Sequence, residues 1–99
     1  MYTVKYHPEF KAWLKSLKDG RVRLRLASRL RKLELGNLGD VQPVGGGVSE
    51  LREHFGAGWR MYYVQRGAVV VVMLGGGSKA TQQKDIARAK QLADNLEGE

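Results

Sequence analysis

Residues Ala68 to Leu74, AVVVVML, are apolar without a break. A run of that length and β-branched content predicts a strand with neither face in water, which belongs inside a sheet rather than at its edge. It is far too short to span a bilayer. The 99 residues of the chain predict one domain, 1–99, with a single hydrophobic core that buries roughly two-thirds of the unfolded surface. The N-terminal MYTVKYHP lacks the long apolar stretch of a secretory signal, and the chain has no cysteine for a disulfide or a thiolate metal site. A soluble intracellular protein is expected.

Around that strand the periodicity changes several times. Tyr2 to Tyr6 (YTVKY) alternates as a strand does. Pro8 suits the first turn of a helix, and Phe10, Trp13, Leu14 and Leu17 follow at helical spacing until Asp19-Gly20 ends the stripe. Residues 21–35, RVRLRLASRLRKLEL, alternate at first sight. Val22, Leu26, Leu30 and Leu33 nevertheless fall on one helical stripe, the stretch is rich in good helix formers, and Gly36 is placed to cap it. The two helices predict an antiparallel hairpin with its arginines outward. Residues 36–47, GNLGDVQPVGGG, read as a loop. Strands are expected at 48–55 and 59–66, a turn at Arg66-Gly67, then the apolar strand, which the glycines of GGGS break. Thr81 is placed to cap a last helix from about Gln82 to Leu96. The order is β-α-α-β-β-β-α. The fold class is α+β, a small, mainly antiparallel sheet packed on an N-terminal helical hairpin.

The charge is unevenly placed. Residues 1–35 hold ten Lys or Arg against Glu9, Asp19 and Glu34, whereas residues 36–99 hold seven of each sign, so the whole net charge of +7 lies in the first third. Such a patch attracts polyanions, nucleic acid above all, although a solvated helical face has the same composition.

With Gly56-Ala57-Gly58 as the hairpin loop, Phe55 pairs with Trp59, His54 with Arg60, Arg52 with Tyr62 and Glu50 with Val64. Leu51, Phe55, Trp59, Met61 and Tyr63 then share the core face, joined by an unexplained Glu53. Glu50, Arg52, His54, Arg60 and Tyr62 share the other. Pairing 64 with 69 across the next turn adds Val69, Val71 and Met73 to that second face.

Two arginines, a histidine and a tyrosine on one face suit a phosphodiester. Guanidinium forks match phosphate oxygens, histidine exchanges a proton near neutral pH, and tyrosine can stack on an unpaired base. Lys79 follows the apolar strand behind three glycines, and is equally an ordinary loop lysine. Asp40, Glu50, Glu53 and Asp85 are scattered in sequence, which disfavours a magnesium-dependent nuclease and predicts no metal or other cofactor. RNA carries its own nucleophile, the 2′-hydroxyl. His54 or Glu50 could take its proton, while Arg52, Arg60 and Lys79 hold the phosphate. Glu50–Arg52 also reads as a surface ion pair, and His54 as merely exposed.

The motifs FKAWLKSLKD (10–19), RLASRLRKLELGNLGDVQPVGGGVSELR (25–52), GAGWRMYYVQRG (56–67) and LGGGSKATQQKDIARAKQLA (74–93) span most of the chain. In them it resembles the RelE/ParE superfamily of bacterial type II toxins, and within that the HigB-like branch of addiction-module killer proteins. The resemblance implies a metal-independent endoribonuclease that cleaves messenger RNA at the ribosome in the bacterial cytoplasm. The ELR arginine maps to Arg52, the arginine after G-x-G-aromatic to Arg60, and the K-x-T-Q lysine to Lys79. Trp59, Ser78 and Ala57 stand where tyrosine, an acidic residue and proline are common. The resemblance also implies an adjacently encoded helix-turn-helix antitoxin, through which alone operator DNA would be reached. No membrane partner is expected. On this reading Arg21, Arg23, Arg25, Arg29, Arg31 and Lys32 of the helical hairpin dock on ribosomal RNA and Tyr62 contacts the message. The alternative is a ParE-like inhibitor of DNA gyrase with no nuclease activity.

Overall fold

The computed structural model describes residues 1–96. It contains β1 (Thr3–Tyr6), α1 (Pro8–Ser16), α2 (Gly20–Glu34), β2 (Val41–Gly45), β3 (Val48–Arg52), β4 (Arg60–Arg66), β5 (Val70–Gly77), a 3₁₀ turn (Lys79–Thr81) and α3 (Gln82–Leu96). The two early helices begin where local chemistry allows. The His7 ring accepts from the Glu9 amide and Pro8 fills the first turn of α1. The Asp19 carboxylate accepts from the Arg21 amide at the start of α2. Each bond satisfies an amide that has no partner inside its own helix.

Five strands form one sheet in the order β1-β5-β4-β3-β2. The apolar strand β5 is interior, as expected, paired in parallel with β1 and antiparallel with β4. One sheet face packs on the helical hairpin: Phe10, Leu26, Leu30 and Leu33 meet Leu51, Met61, Tyr63, Val71 and Met73. The opposite face packs on α3, where Ala89, Leu92 and Ala93 meet Val48, Tyr62, Val64 and Leu74. Cover on both faces is what an unbroken apolar strand requires.

Three features differ from the sequence reading. First, residues 41–45 are not loop but an edge strand, β2, added to the expected order. Its Pro43 pairs opposite Ser49, a position an edge strand tolerates, and Gly46 and Gly47 (φ +62° and +78°) make the turn into β3. Second, β3 and β4 pair Arg52 with Arg60 and Glu50 with Tyr62, two residues away from the expected register. A two-residue shift preserves the faces, so the division of side chains between them stands, but it lengthens the connection to 53–59. Third, the β4–β5 turn takes three residues, 67–69, and Arg66 pairs with Val70. That odd shift moves Val71 and Met73 to the hairpin face and turns Val72 toward α3. Leu74 is then the extra residue of a bulge, between the pairs Tyr63–Met73 and Tyr62–Gly75.

Two of the three glycines after Leu74 are there for space. A Cβ on Gly76 would lie 2.4 Å from the Trp13 ring of α1, and one on Gly77 would lie 1.9 Å from the Asp85 carboxylate of α3.

Candidate active site

The loop end of the β3–β4 hairpin, where the 53–59 connection closes it, gathers three of the singled-out cations, Arg52, Arg60 and Lys79. Arg52 and Arg60 are directly opposed across the ladder and therefore share a face. Gly58 turns the chain there with φ +73°. A Cβ at Gly58 would stand 3.2 Å from the Lys79 side chain and 3.7 Å from an Arg60 terminal nitrogen, so these two cations flank the same turn. The Lys79 amide donates to Ala57 O at 3.3 Å, which ties the 3₁₀ turn to the hairpin. Lys79 is exposed, Arg52 half-buried, and Arg60 only 7% exposed. Neither arginine has a hydrogen-bond partner at its buried Nε. Arg60 Nε is 3.9 Å from Glu50, and its terminal nitrogen makes one long bond, 3.4 Å, to Trp59 O. Those Nε atoms are enclosed, so what a phosphate oxygen can meet at this end is the half-buried Arg52 guanidinium and the exposed Lys79 ammonium.

His54 leaves the ladder and joins this end from the side. Its Nε2 is 2.6 Å from Asp40 Oδ2, and the same oxygen is 3.6 Å from Arg52 Nε. The hydrogen bond from His54, with Arg52, His54 and Arg29 charge nearby, holds the Asp40 carboxyl below its ordinary value. The sequence reading met Asp40 only as one of several scattered carboxylates, because residues 36–47 read as loop. The signal that could have found it is the pairing of β2, which carries Asp40 opposite Arg52.

Other candidates lie elsewhere. Glu50 is 3% exposed, faces Arg60 and accepts Gln82 Nε2 on both oxygens, so it is no base for an external substrate. Tyr62 is fully buried beneath α3 and offers no face for stacking on a base. Burial, reinforced by Glu50 and Asp85 and opposed by Arg60, pushes its phenol well above the usual range, and its hydroxyl has no hydrogen-bond partner. Both were expected on an open face. Strand alternation defines a face but says nothing of the helix that covers it. Thr81, expected to cap α3, instead donates its hydroxyl to Asp85 at 2.6 Å.

The helical arginines divide as well. Arg21, Arg23, Arg25, Arg31 and Lys32 are exposed, with Arg25 4.0 Å above the Phe55 ring. Arg29 is not among them. It is buried, pairs with Glu53, and donates to Arg52 O (2.9 Å), Leu38 O (2.9 Å) and Asp40 O (2.8 Å). That arrangement accounts for Glu53 on the core face and removes Arg29 from any RNA-docking surface. Among the described residues no group of three or more His, Asp or Glu is placed to hold a metal ion, and no helix is long and apolar enough to cross a membrane.

Fold and site define a small basic α+β domain that places cations, a histidine and one carboxylate around a hairpin end. Residues 12–96 match the family model described as phage derived protein Gp49-like (DUF891). An "Uncharacterized protein" of Haemophilus influenzae (strain ATCC 51907 / DSM 11121 / KW20 / Rd) is 42% identical over 87 residues, covering 88% of each chain. The chain belongs to this Gp49-like family, a toxin-like addiction-module family of the RelE/HigB type.

Proposed function

We propose that the protein is the toxin of a type II toxin–antitoxin pair and a metal-independent endoribonuclease, which cuts messenger RNA at the ribosome in the bacterial cytoplasm. The observation that carries this reading is the hairpin end itself. Arg60 and Lys79 flank Gly58, and Arg52 stands opposite Arg60. Membership of a toxin-like family supports a cognate antitoxin as partner.

The chemistry follows from the residues. The three cations hold the non-bridging oxygens of one phosphodiester and offset the charge that grows on them. His54 takes the proton of the 2′-hydroxyl. The bond from O2′ to phosphorus forms, the bond to O5′ breaks, and the departing oxygen takes up a proton. The products are a 2′,3′-cyclic phosphate and a 5′-hydroxyl end. Losing one charge-stabilising donor of this kind costs about 10²–10³ in rate.

The test is a map of messenger RNA 5′ ends after brief induction of the wild type and of Lys79→Ala. Lys79 is exposed, so its loss leaves the core intact. New 5′-hydroxyl ends inside translated codons, reduced about 10²-fold in the variant, are expected. Growth arrest with intact messages and inhibited DNA supercoiling would replace this reading with gyrase inhibition.

A further inference from the structure

We propose that Asp40 is the positioning residue for His54, holding the imidazole as its Nε2–H tautomer so that Nδ1 presents the lone pair to the 2′-hydroxyl. This rests on the nuclease reading and deepens it.

The geometry reaches from the surface to the core. Asp40 Oδ2 is 2.6 Å from His54 Nε2. The carboxylate is held ionised by that bond and by Arg52 and Arg29. An ionised carboxylate only accepts, so Nε2 is the donor, and a neutral ring protonated there has its acceptor at Nδ1. The base of the pair is fixed in turn. The Asp40 carbonyl accepts two bonds, from the Arg52 amide (3.0 Å) and from Arg29 Nη2 (2.8 Å). Arg29 is buried and also held by Glu53 and by Arg52 O. An adventitious surface pair has no such backing, and a catalytic ring needs it to keep its orientation. The His54 side chain is 61% exposed, which leaves its other edge open to substrate.

The charged groups around the ring are Asp40 and Arg52, with Arg29 and Glu53 behind them on the α2 side. When Nδ1 takes the 2′-hydroxyl proton, the new positive charge lies against Asp40, which lowers its cost. The proton then passes to solvent or to the departing O5′, and the ring returns to its starting tautomer.

Single-turnover cleavage on programmed ribosomes, with wild type, Asp40→Asn, His54→Ala and the double variant, tests the inference. Ring ¹⁵N spectra of the free proteins accompany it. His54→Ala is expected to slow cleavage about 10²-fold or more, as loss of a general base does. Asp40→Asn should slow it about 10-fold in rate constant with unchanged half-saturation, and should add nothing in the His54→Ala background, because it acts through the ring. The spectra should show Nε2–H in the wild type and a mixture in Asp40→Asn. Full activity of Asp40→Asn, an unchanged tautomer, or a further loss in the double variant would each overturn the inference while leaving the nuclease standing. A wild type that leaves the message whole would remove the nuclease reading, and this inference with it.

Discussion

Arg29 ties α2 to the strands that carry the candidate site, and its loss is expected to be among the most damaging single changes in the chain. Its side chain is 9% exposed and that of Glu53 19%. Replacing Arg29 by alanine leaves the Glu53 carboxylate without its cation and removes a donor from the carbonyls of Leu38, Asp40 and Arg52. Removing one member of a buried ion pair costs about 3–5 kcal/mol. A buried acceptor left without a donor costs about 1–3 kcal/mol, less where water can enter. Glu53 is partly accessible and the Asp40 carbonyl keeps the Arg52 amide, so the low ends apply, about 3 kcal/mol for the pair and about 1 kcal/mol for each of the other two carbonyls, a total of about 5 kcal/mol. Against the 5–15 kcal/mol of a typical domain, that threatens folding at 37 °C. Urea titration of Arg29→Ala and Arg29→Lys measures it. The lysine variant should recover only part of the loss, because an ammonium cannot span four acceptors as a planar fork does. Glu53→Gln, which keeps an acceptor, should cost less than either. A change below about 1 kcal/mol for Arg29→Ala would show that the network is incidental and refute the account of how Asp40 is held.

Further outcomes follow from the glycine triplet and from the carboxylates. Gly76→Ala places a methyl group 2.4 Å from the Trp13 ring, whereas a Cβ at Gly75 meets nothing within 4 Å. Thermal melts should therefore show a loss of about 1–3 kcal/mol for Gly76→Ala, as overpacking does, and little change for Gly75→Ala. The carboxyl of Asp40 is depressed from its ordinary 3.8, chiefly by the His54 bond, and that of Glu9 from 4.5, chiefly by the Arg88 bond. A depressed carboxyl stabilises the fold above its unfolded value and loses that contribution as pH falls through the folded one. Urea midpoints should thus fall as pH drops below about 4.5, and the fall should be shallower in Asp40→Asn. An equally steep acid limb in that variant would mean that Asp40 is not coupled to folding.

The helices were legible because each carries its own period. Leu26, Leu30 and Leu33 mark the buried stripe of α2, and α3 spans the expected 82–96. The interior position of β5 followed from AVVVVML alone. What escaped depends on two distant segments at once. Residues 41–45, with Pro43 and Gly45, read as loop because the partner that makes them a strand is β3. The face of Val71 and Met73 was misplaced because it turns on one extra residue in the 67–69 turn. Arg52, Arg60 and Lys79 were grouped in the sequence reading, and in the fold Arg52 lies opposite Arg60 while Arg60 and Lys79 flank Gly58. Glu50 and Tyr62 were named with them, yet α3 closes over both, and nothing in the strands announces that the helix beginning at Gln82 packs on this face. Asp40 and Arg29 are the converse, visible only once α2, β2 and β3 are assembled.

The broken edge strand β2 also bears on how copies of the chain behave toward one another. The Arg52 amide bonds the Asp40 carbonyl, and the alternation of an antiparallel ladder then turns the backbone of residues 41 and 43 away from β3. Residue 43 is proline, so the free edge lacks a donor at mid-strand, and the register slips between Pro43 and Gly45. An incoming strand cannot extend the sheet along this side without losing a bond and meeting the slip. With a net charge of +7 on every copy, sheet-to-sheet accretion is opposed both at contact and at approach. The segment that sets Asp40 opposite Arg52 thus also closes this edge of the sheet to strand addition.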